Sequence, residues 1–336
     1  PFQMRVSQLD YNNFVGLIGV GRIQRGKVRT NMPVSVVDRE GKRRQGKVLQ
    51  VLGFLGLERV EVAEAEAGDI VAISGVADLS ISDTICALDT PEALPALTVD
   101  EPTISMTFQV NNSPFAGNKD HSGGKFITSR QIRERLERET LHNVALKVEE
   151  GSDPDKFLVS GRGELHLSVL IENMRREGFE LAVSRPEVII KEIDGQLIEP
   201  VEQLVVDIEE VHQGGVMDKL GTRKAQLKNM ESDGRGRVRL DYMIPARGLI
   251  GFQNEFMNLT RGTGLMSHVF DSYAPVKGDI PERRNGVLIS AEDGPAVAYA
   301  LWKLQDRGRM FVSPGEMLYE GMVIGENSRN DDMDVN

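Results

Sequence analysis

The chain has 336 residues, more than one hydrophobic core usually serves, so about two to four domains are expected. A hydrophobic share of 40% and a charged share of 27% exclude a disordered or fibrous chain, and the single cysteine, Cys86, excludes a disulfide framework or a thiolate-rich metal centre. The net charge of -11 excludes a protein that coats nucleic acid through its overall charge, so any such partner must be met by local basic patches.

One cysteine fits a reducing, cytoplasmic setting. No apolar run approaches the length of a membrane span and no secretory signal opens the chain. The start at Pro1 without an initiator Met, and the polar ending over 327–336, predict a fragment with something missing at both ends. Acid gathers at 58–69, 149–155 and 199–210, and base at 42–44, 125–138, 223–247 and 303–309; each cluster reads first as a solvated face.

From residue 2 to 88, short apolar alternations at 16–20, 34–37, 47–52, 69–74 and 81–88 are cut by glycine, the pattern of a small closed β-barrel. The stretch 89–102 carries Pro91, Pro95 and Pro102 without a sustained period and is predicted to be a linker. A strand at 104–110 follows, then a helix opening near Ser129, whose hydroxyl can cap it, with Ile132 and Leu136 one turn apart. Strands are expected at 144–148 and 157–160. A second helix from 164 to about 177 places Leu167, Leu170, Ile171 and Met174 on one stripe and stops at Gly178, after which 181–190 runs extended. The order is βαββαβ, a ferredoxin-like unit. The same grammar recurs as strand 203–209, helix 215–220, strands near 227 and at 238–243, helix 250–259 and strand 265–273. Beyond Pro275, a strand at 286–290, a helix at 295–304 and glycine-punctuated apolar pairs predict a strand-rich, incomplete module. The class is therefore multidomain β and α+β. The domain boundaries fall at 1–97, 98–193, 194–275 and 276–336.

A phosphate-cradling loop needs glycine-rich backbone followed by Lys and a hydroxyl for magnesium. In 117–127 the Gly124-Lys125 pair is followed by Phe126, and Asn118-Lys119-Asp120-His121 places its Asp one residue early for guanine reading. Neither motif is met, so no GTP, magnesium or other cofactor is expected on this chain and 117–127 is a polar loop. The histidines His121, His142, His166, His212 and His268 show no His or carboxylate at the spacing of three or four used by helical metal ligands, and no metal site is expected. Glu164 and His166 stand about 200° apart on a helix and cannot work as a pair, so His166 reads as a capping or partly buried residue. No nucleophile elbow is present.

The stretch Ser160-Gly161-Arg162-Gly163-Glu164-Leu165-His166-Leu167, continued by Met174-Arg175-Arg176-Glu177-Gly178 and Ser184-Arg185-Pro186, resembles the third domain of elongation factor G and its relatives. Gly21-Arg22-Ile23, Arg25-Gly26, Ala67-Gly68-Asp69 and Asp83-Thr84 are similar to the second-domain barrel of translational GTPases, as in elongation factor Tu. Gly215-Val216-Met217, Leu220 and Arg223-Lys224 are similar to the opening of their fifth domain. Only 191–200 separates the two βαββαβ units, where elongation factor G has a long fourth domain. LepA shares that shortcut, but Ser113-Pro114-Phe115-Ala116-Gly117, Thr128-Ser129-Arg130, Gly248-Leu249-Ile250-Gly251, Leu304-Gln305-Asp306-Arg307-Gly308 and Glu326-Asn327-Ser328-Arg329 resemble the BipA (TypA) family.

That resemblance implies the ribosome-binding body of a GTPase acting in large-subunit biogenesis and in stress, cold and virulence responses. GTP and magnesium would be held by a nucleotide-binding domain absent here, which would be its partner in cis. The implied chain is a cytoplasmic monomer whose partners are rRNA, ribosomal proteins and tRNA. Candidate RNA-contacting groups are Lys42, Arg43 and Arg44 beside Gly41, Arg223 and Lys224, and Arg283, Arg284, Lys303, Arg307 and Arg309. Against the last two stands simple pairing with Asp306 and Glu316. A LepA-like body, a non-ribosomal interaction scaffold and an enzyme with an unrecognised pocket are the alternatives.

Overall fold

Val34 and Val36, like Val71 and Ile73, sit two residues apart and are almost wholly buried, as alternation along a strand requires. The computed structural model describes residues 1–118, 121, 123–151, 153–280 and 285–336. They fall into two units, 1–102 with 128–167, and 103–127 with 168–336.

In the first unit, nine antiparallel strands wrap a core that includes Met4, Val6, Ile23, Val36, Ile73 and Ile85. Gly16–Arg25 is the hub, pairing with Gln3–Arg5, Gln8–Asn12 and Ile70–Ser74. The path ends at Arg43–Lys47 on one side and Glu58–Glu61 on the other. The ring closes where Val48 and Leu49 join Arg43–Lys47 to Gln50–Leu55, with Val48 N donating to Met32 O at 2.9 Å and Leu49 N to Ser74 O at 2.8 Å, as the expected β-barrel requires.

The stretch 89–102 has no regular structure, but it is a strap rather than a free linker. Gln3 Nε2 donates to Glu92 O at 2.8 Å, Arg5 Nη1 to Pro95 O at 2.8 Å, and Leu97 N to Ser82 Oγ at 2.8 Å. The prolines prevent strand pairing, and barrel side chains satisfy the backbone instead.

The same unit holds a helix, α1 (Ser129–His142), and the hairpin Lys147–Glu150 with Lys156–Gly161. Thr128, not Ser129, caps α1. Its Oγ1 accepts from Gln131 N, and Gln131 Oε1 accepts from Thr128 N. Thr128 is extended at φ -97° while Ser129 is already helical, and Gln131 completes a capping box. A second helix, α2 (Glu164–Glu177), buries Leu167, Leu170 and Met174, as their shared stripe predicts.

In the second unit, Ile104–Gln109 pairs with Ala182–Val183 and Glu187–Val188. In chain order, the elements from 104 to 183 run βαββαβ. The irregular stretch 111–124 is organised by Glu180, which is 7% exposed. Its carboxylate accepts from Gly117 N and Gly124 N at 3.1 Å each and from Asn111 Nδ2 at 3.4 Å.

The second βαββαβ set is Gln196–Glu209, α3 (Gln213–Thr222), Gln226–Ser232, Arg237–Pro245, α4 (Ala246–Leu249) with α5 (Phe252–Leu259), and Leu265–Pro275. Its sheet places the first strand between the third and the fourth, the ferredoxin-like order. Val216, Leu220, Phe252 and Phe256 pack with Leu204, Val206, Ile208 and Leu240. The helix predicted over 250–259 starts two residues later, at Phe252, because Gly251 adopts φ +72° as its N-cap and separates it from the short α4.

Residues 285–336 build a four-stranded sheet of Gly308–Met310, Val323–Asn327, Val287–Ser290 and Met333–Val335. With it come the short ribbon Gly294–Pro295 with Met317–Leu318, and α6 (Ala298–Leu304). Leu288, Leu301, Val312 and Ile324 share the core. Asn327, 1% exposed, holds the last turn by donating from Nδ2 to Asp331 O at 2.7 Å.

A Cβ on Gly124 would lie 2.2 Å from Glu180 Cγ. Gly124→Ala is therefore expected to displace the carboxylate and lower unfolding stability by about 1–3 kcal/mol. Urea denaturation checks this; an unchanged midpoint would show that the loop does not depend on Glu180.

Candidate nucleic-acid interface

Lys42 and Arg43 occupy the hairpin made by Pro33–Val37 and Arg43–Lys47. Asp38 builds its tip by accepting from Glu40 N and Lys42 N at 2.9 and 2.8 Å, while Gly41 takes φ +81°. Both cationic side chains are exposed. Arg44 is engaged elsewhere. Its Nη2 donates to Asp83 Oδ2 at 2.6 Å and to Asp78 O at 2.8 Å, and the Asp83 side chain is 1% exposed. A carboxylate so buried must be compensated, so Arg44 has an intramolecular task that its neighbours lack.

Arg223 has a similar task. It donates to Gly248 O at 2.7 Å, Ile250 O at 3.1 Å and Glu255 Oε2 at 3.0 Å, and its guanidinium lies 5.0 Å from the centroid of Phe252. It holds the α4–α5 break to the end of α3. Lys224 beside it is exposed and left-handed at φ +62°.

In the last module, Lys303, Arg307 and Arg309 are exposed, whereas Arg283 and Arg284 lie outside the described residues. Among the described residues, neither Arg307 nor Arg309 forms an ion pair, so the alternative of simple pairing with Asp306 and Glu316 is not found. Two neighbours were missed in the sequence. Tyr299 and Trp302, 62% and 64% exposed, stack with centroids 5.9 Å apart and planes at 26°, and Lys303 Nζ lies 4.6 Å from the Tyr299 centroid. Their three-residue spacing, followed at once by Lys303, was the available signal.

A cleft of ≈ 460 Å³ in the first unit is lined by Ser7, Leu97, Asp100, Glu139, His142 and Arg162, among others. Glu139 and His142 are three apart on α1 and 3.5 Å from each other, which corrects the expectation that no histidine has a carboxylate at helical spacing. Burial pushes the Glu139 carboxyl up. Hydrogen bonds from Arg135 and Asn143, with His142 nearby, outweigh this and bring it below its usual value. A carboxylate whose oxygens are both occupied fixes the end of α1 and is not poised as a base. Among the described residues, no group of three or more metal-ligating side chains is gathered. Of the Asn118–His121 motif, Lys119 and Asp120 lie outside the described residues.

His166 closes the loop before α2. Arg162 N donates to Nδ1 at 3.2 Å, leaving the proton on Nε2 to meet Asn143 Oδ1 at 3.0 Å. Burial, then the charge of Arg162, lowers this imidazole below its usual range against a weaker pull from Glu139.

Comparison with known proteins places these elements. Residues 16–86 match the model for elongation factor Tu domain 2, residues 196–284 that for the elongation factor G C-terminus, and residues 285–336 that for the TypA/BipA C-terminal domain. Over its full length the chain is 62% identical to the large ribosomal subunit assembly factor BipA of Escherichia coli K12 and 59% identical to that of Haemophilus influenzae. The chain belongs to the BipA/TypA family. The relative in Buchnera aphidicola is 54% identical. The chain spans about half of each relative, 55%, 54% and 55% of their lengths in the order given. A solved structure from Thermus thermophilus superposes with a TM-score of 0.51 at 16% identity, over 82% of this chain and 56% of that one, and shares the fold. The β-barrel and α+β class expected from sequence is the observed one. Among the described residues, no helix is long and apolar enough to cross a membrane.

Two outcomes follow from this geometry. Arg44→Ala should cost about 2–4 kcal/mol by leaving Asp83 buried without its cation, while Lys42→Ala and Arg43→Ala should each stay within about 0.5 kcal/mol. Equal losses in chemical denaturation would mean that the three are equivalent surface charges. His166 has a native pKa below its unfolded value, so the unfolded chain binds the extra proton. Its contribution is complete above about pH 6.5 and is lost as pH falls through the lower native value. The thermal midpoint should therefore drop from about pH 7 to about pH 5, and less steeply in His166→Gln. Parallel pH profiles would remove His166 as the cause.

Proposed function

We propose that this chain is the ribosome-binding part of a translational GTPase that acts in assembly of the large ribosomal subunit. The reading is carried by full-length identity of 62% to a large ribosomal subunit assembly factor. It is supported by cations left exposed at Lys42, Arg43, Lys224, Lys303, Arg307 and Arg309 on an otherwise acidic chain. In this reading the chain is not itself an enzyme. GTP hydrolysis, with magnesium, belongs to a nucleotide-binding domain outside these residues. The partners are rRNA, ribosomal proteins and tRNA, the setting is cytoplasmic, and the chain is a monomer. Its working parts are a second-domain barrel over 1–97, a third domain over 98–193, a fifth domain over 194–275 and a family-specific module over 276–336. Arg283 and Arg284 remain candidate contacts on sequence grounds, whereas Arg44 and Arg223 act by holding the surface in shape.

Ribosome pelleting across a salt series tests the reading. The chain should sediment with ribosomes at low salt, and replacing Lys42 and Arg43 by Ala should flatten the log–log salt dependence by up to about 2. Failure of the unaltered chain to pellet at any salt would sink the proposal, and an unchanged slope would remove the hairpin tip from the interface.

A further inference from the structure

Residues 285–336 contain four cations against nine carboxylates, yet three of those cations, Lys303, Arg307 and Arg309, fall within seven consecutive residues. That segment directly follows the exposed ring pair of α6. Trp302 belongs to this pair and also forms a wall of an open cleft of ≈ 340 Å³, whose other borders include Leu301, Gln305, Met310 and Val312. The cleft thus combines an aromatic face, a thioether, aliphatic walls and one exposed amide, with exposed positive charge on the same short segment.

Apolar side chains alone would fit many partners, and the charge selects among them. A flat ring seated against Trp302 and joined to a chain of negative groups satisfies both the cleft and the cations. An unpaired nucleotide has that form: its base stacks and its phosphates meet Lys and Arg. The Gln305 amide, which donates and accepts, suits the hydrogen-bonding edge of a base. Resting on the ribosome reading, we propose that the Tyr299–Trp302 platform and the adjoining cleft bind an unpaired base of single-stranded RNA, with Lys303, Arg307 and Arg309 meeting the flanking phosphates.

Trp302 is the only tryptophan in the chain, so its emission reports on the site. The test titrates the 336-residue chain with an unstructured oligouridylate of about ten nucleotides, following Trp302 fluorescence and the anisotropy of an end-labelled copy. Quenching should track the anisotropy midpoint. Tyr299→Ala with Trp302→Ala should weaken binding by about ten- to a hundredfold without changing the salt slope, and Trp302→Phe should retain affinity within a few-fold. Replacing Lys303, Arg307 and Arg309 by Ala should lower the slope by about 2. Because both rings are largely exposed, the variants should keep the parent's thermal midpoint. No RNA binding, or binding that leaves Trp302 emission and the double-Ala affinity unchanged, overturns the inference. Ribosome pelleting of the same preparation separates the two readings. If the unaltered chain pellets while the oligonucleotide leaves Trp302 untouched, only the platform is lost; if it does not pellet, the ribosome reading fails as well.

Discussion

A carboxylate withdrawn from water must be met by donors or by positive charge, and this constraint fixes much of the chain's irregular backbone. Asp83, Glu139, Glu180 and Glu199 are all at most 9% exposed. Each holds something that secondary structure alone does not. Asp83 accepts from Ser80 N and Arg44 beside a barrel turn, and Glu139 ties the last turn of α1 to Asn143. Glu180 gathers the stretch 111–124. Glu199 accepts from Arg247 and from Lys277 N, at the exit of the second ferredoxin-like sheet. Loops of this length have few apolar groups to bury, and a charge-assisted hydrogen bond is the stronger kind available to them.

The same constraint sorts the cations. An arginine facing a buried carboxylate is held in the fold, since leaving that carboxylate alone costs more than any surface contact returns. Arg44 and Arg247 are of this type, and Arg223 is held in the fold by the half-buried Glu255 together with the carbonyls of Gly248 and Ile250. Lys42, Arg43, Lys224, Lys303, Arg307 and Arg309 are not, and they sit on turns, in the last turn of a helix or just past it, or in the first residues of a short strand. Sequence clustering joins the two kinds, because Arg43 and Arg44 are adjacent. A strand turns successive side chains to opposite faces, so one reaches solvent and the next reaches Asp83.

Local periodicity was legible in the sequence and distant partners were not. The stripe of α2 and the strands of the second ferredoxin-like set follow from patterns a few residues long, and the structure reproduces both. Thr128 and Ser129 offer adjacent hydroxyls, and only the backbone angles decide which one caps. The start of α5 after Gly251 was hidden because the apolar pattern runs through that glycine. The strap over 89–102 looked free because its donors, Gln3 and Arg5, lie about ninety positions away in sequence. For the candidate interface, composition pointed to basic segments but could not tell which arginines were already engaged. The spacing of Tyr299 and Trp302 was equally visible, but helical spacing of aromatic residues usually means core. Their exposure is a tertiary fact.

How an acidic chain can face a phosphate polymer is then a matter of range. At physiological ionic strength charges more than about 8 Å apart are largely screened, so a net charge of -11 spread over the surface does not prevent a local positive spot. Cations on turns profit most, because a turn lifts them away from the carboxylates on flanking strands. Such spots are weak on their own and weaken further with salt, since their contribution comes from released counterions. A chain that presents few of them needs a second source of affinity that salt does not remove. Exposed aromatic rings supply one, and on this chain the ring pair and three of the exposed cations lie within eleven residues, from Tyr299 to Arg309. The grouping places the salt-sensitive and salt-insensitive parts of binding on one short segment, which requires neither a basic protein nor a large basic face.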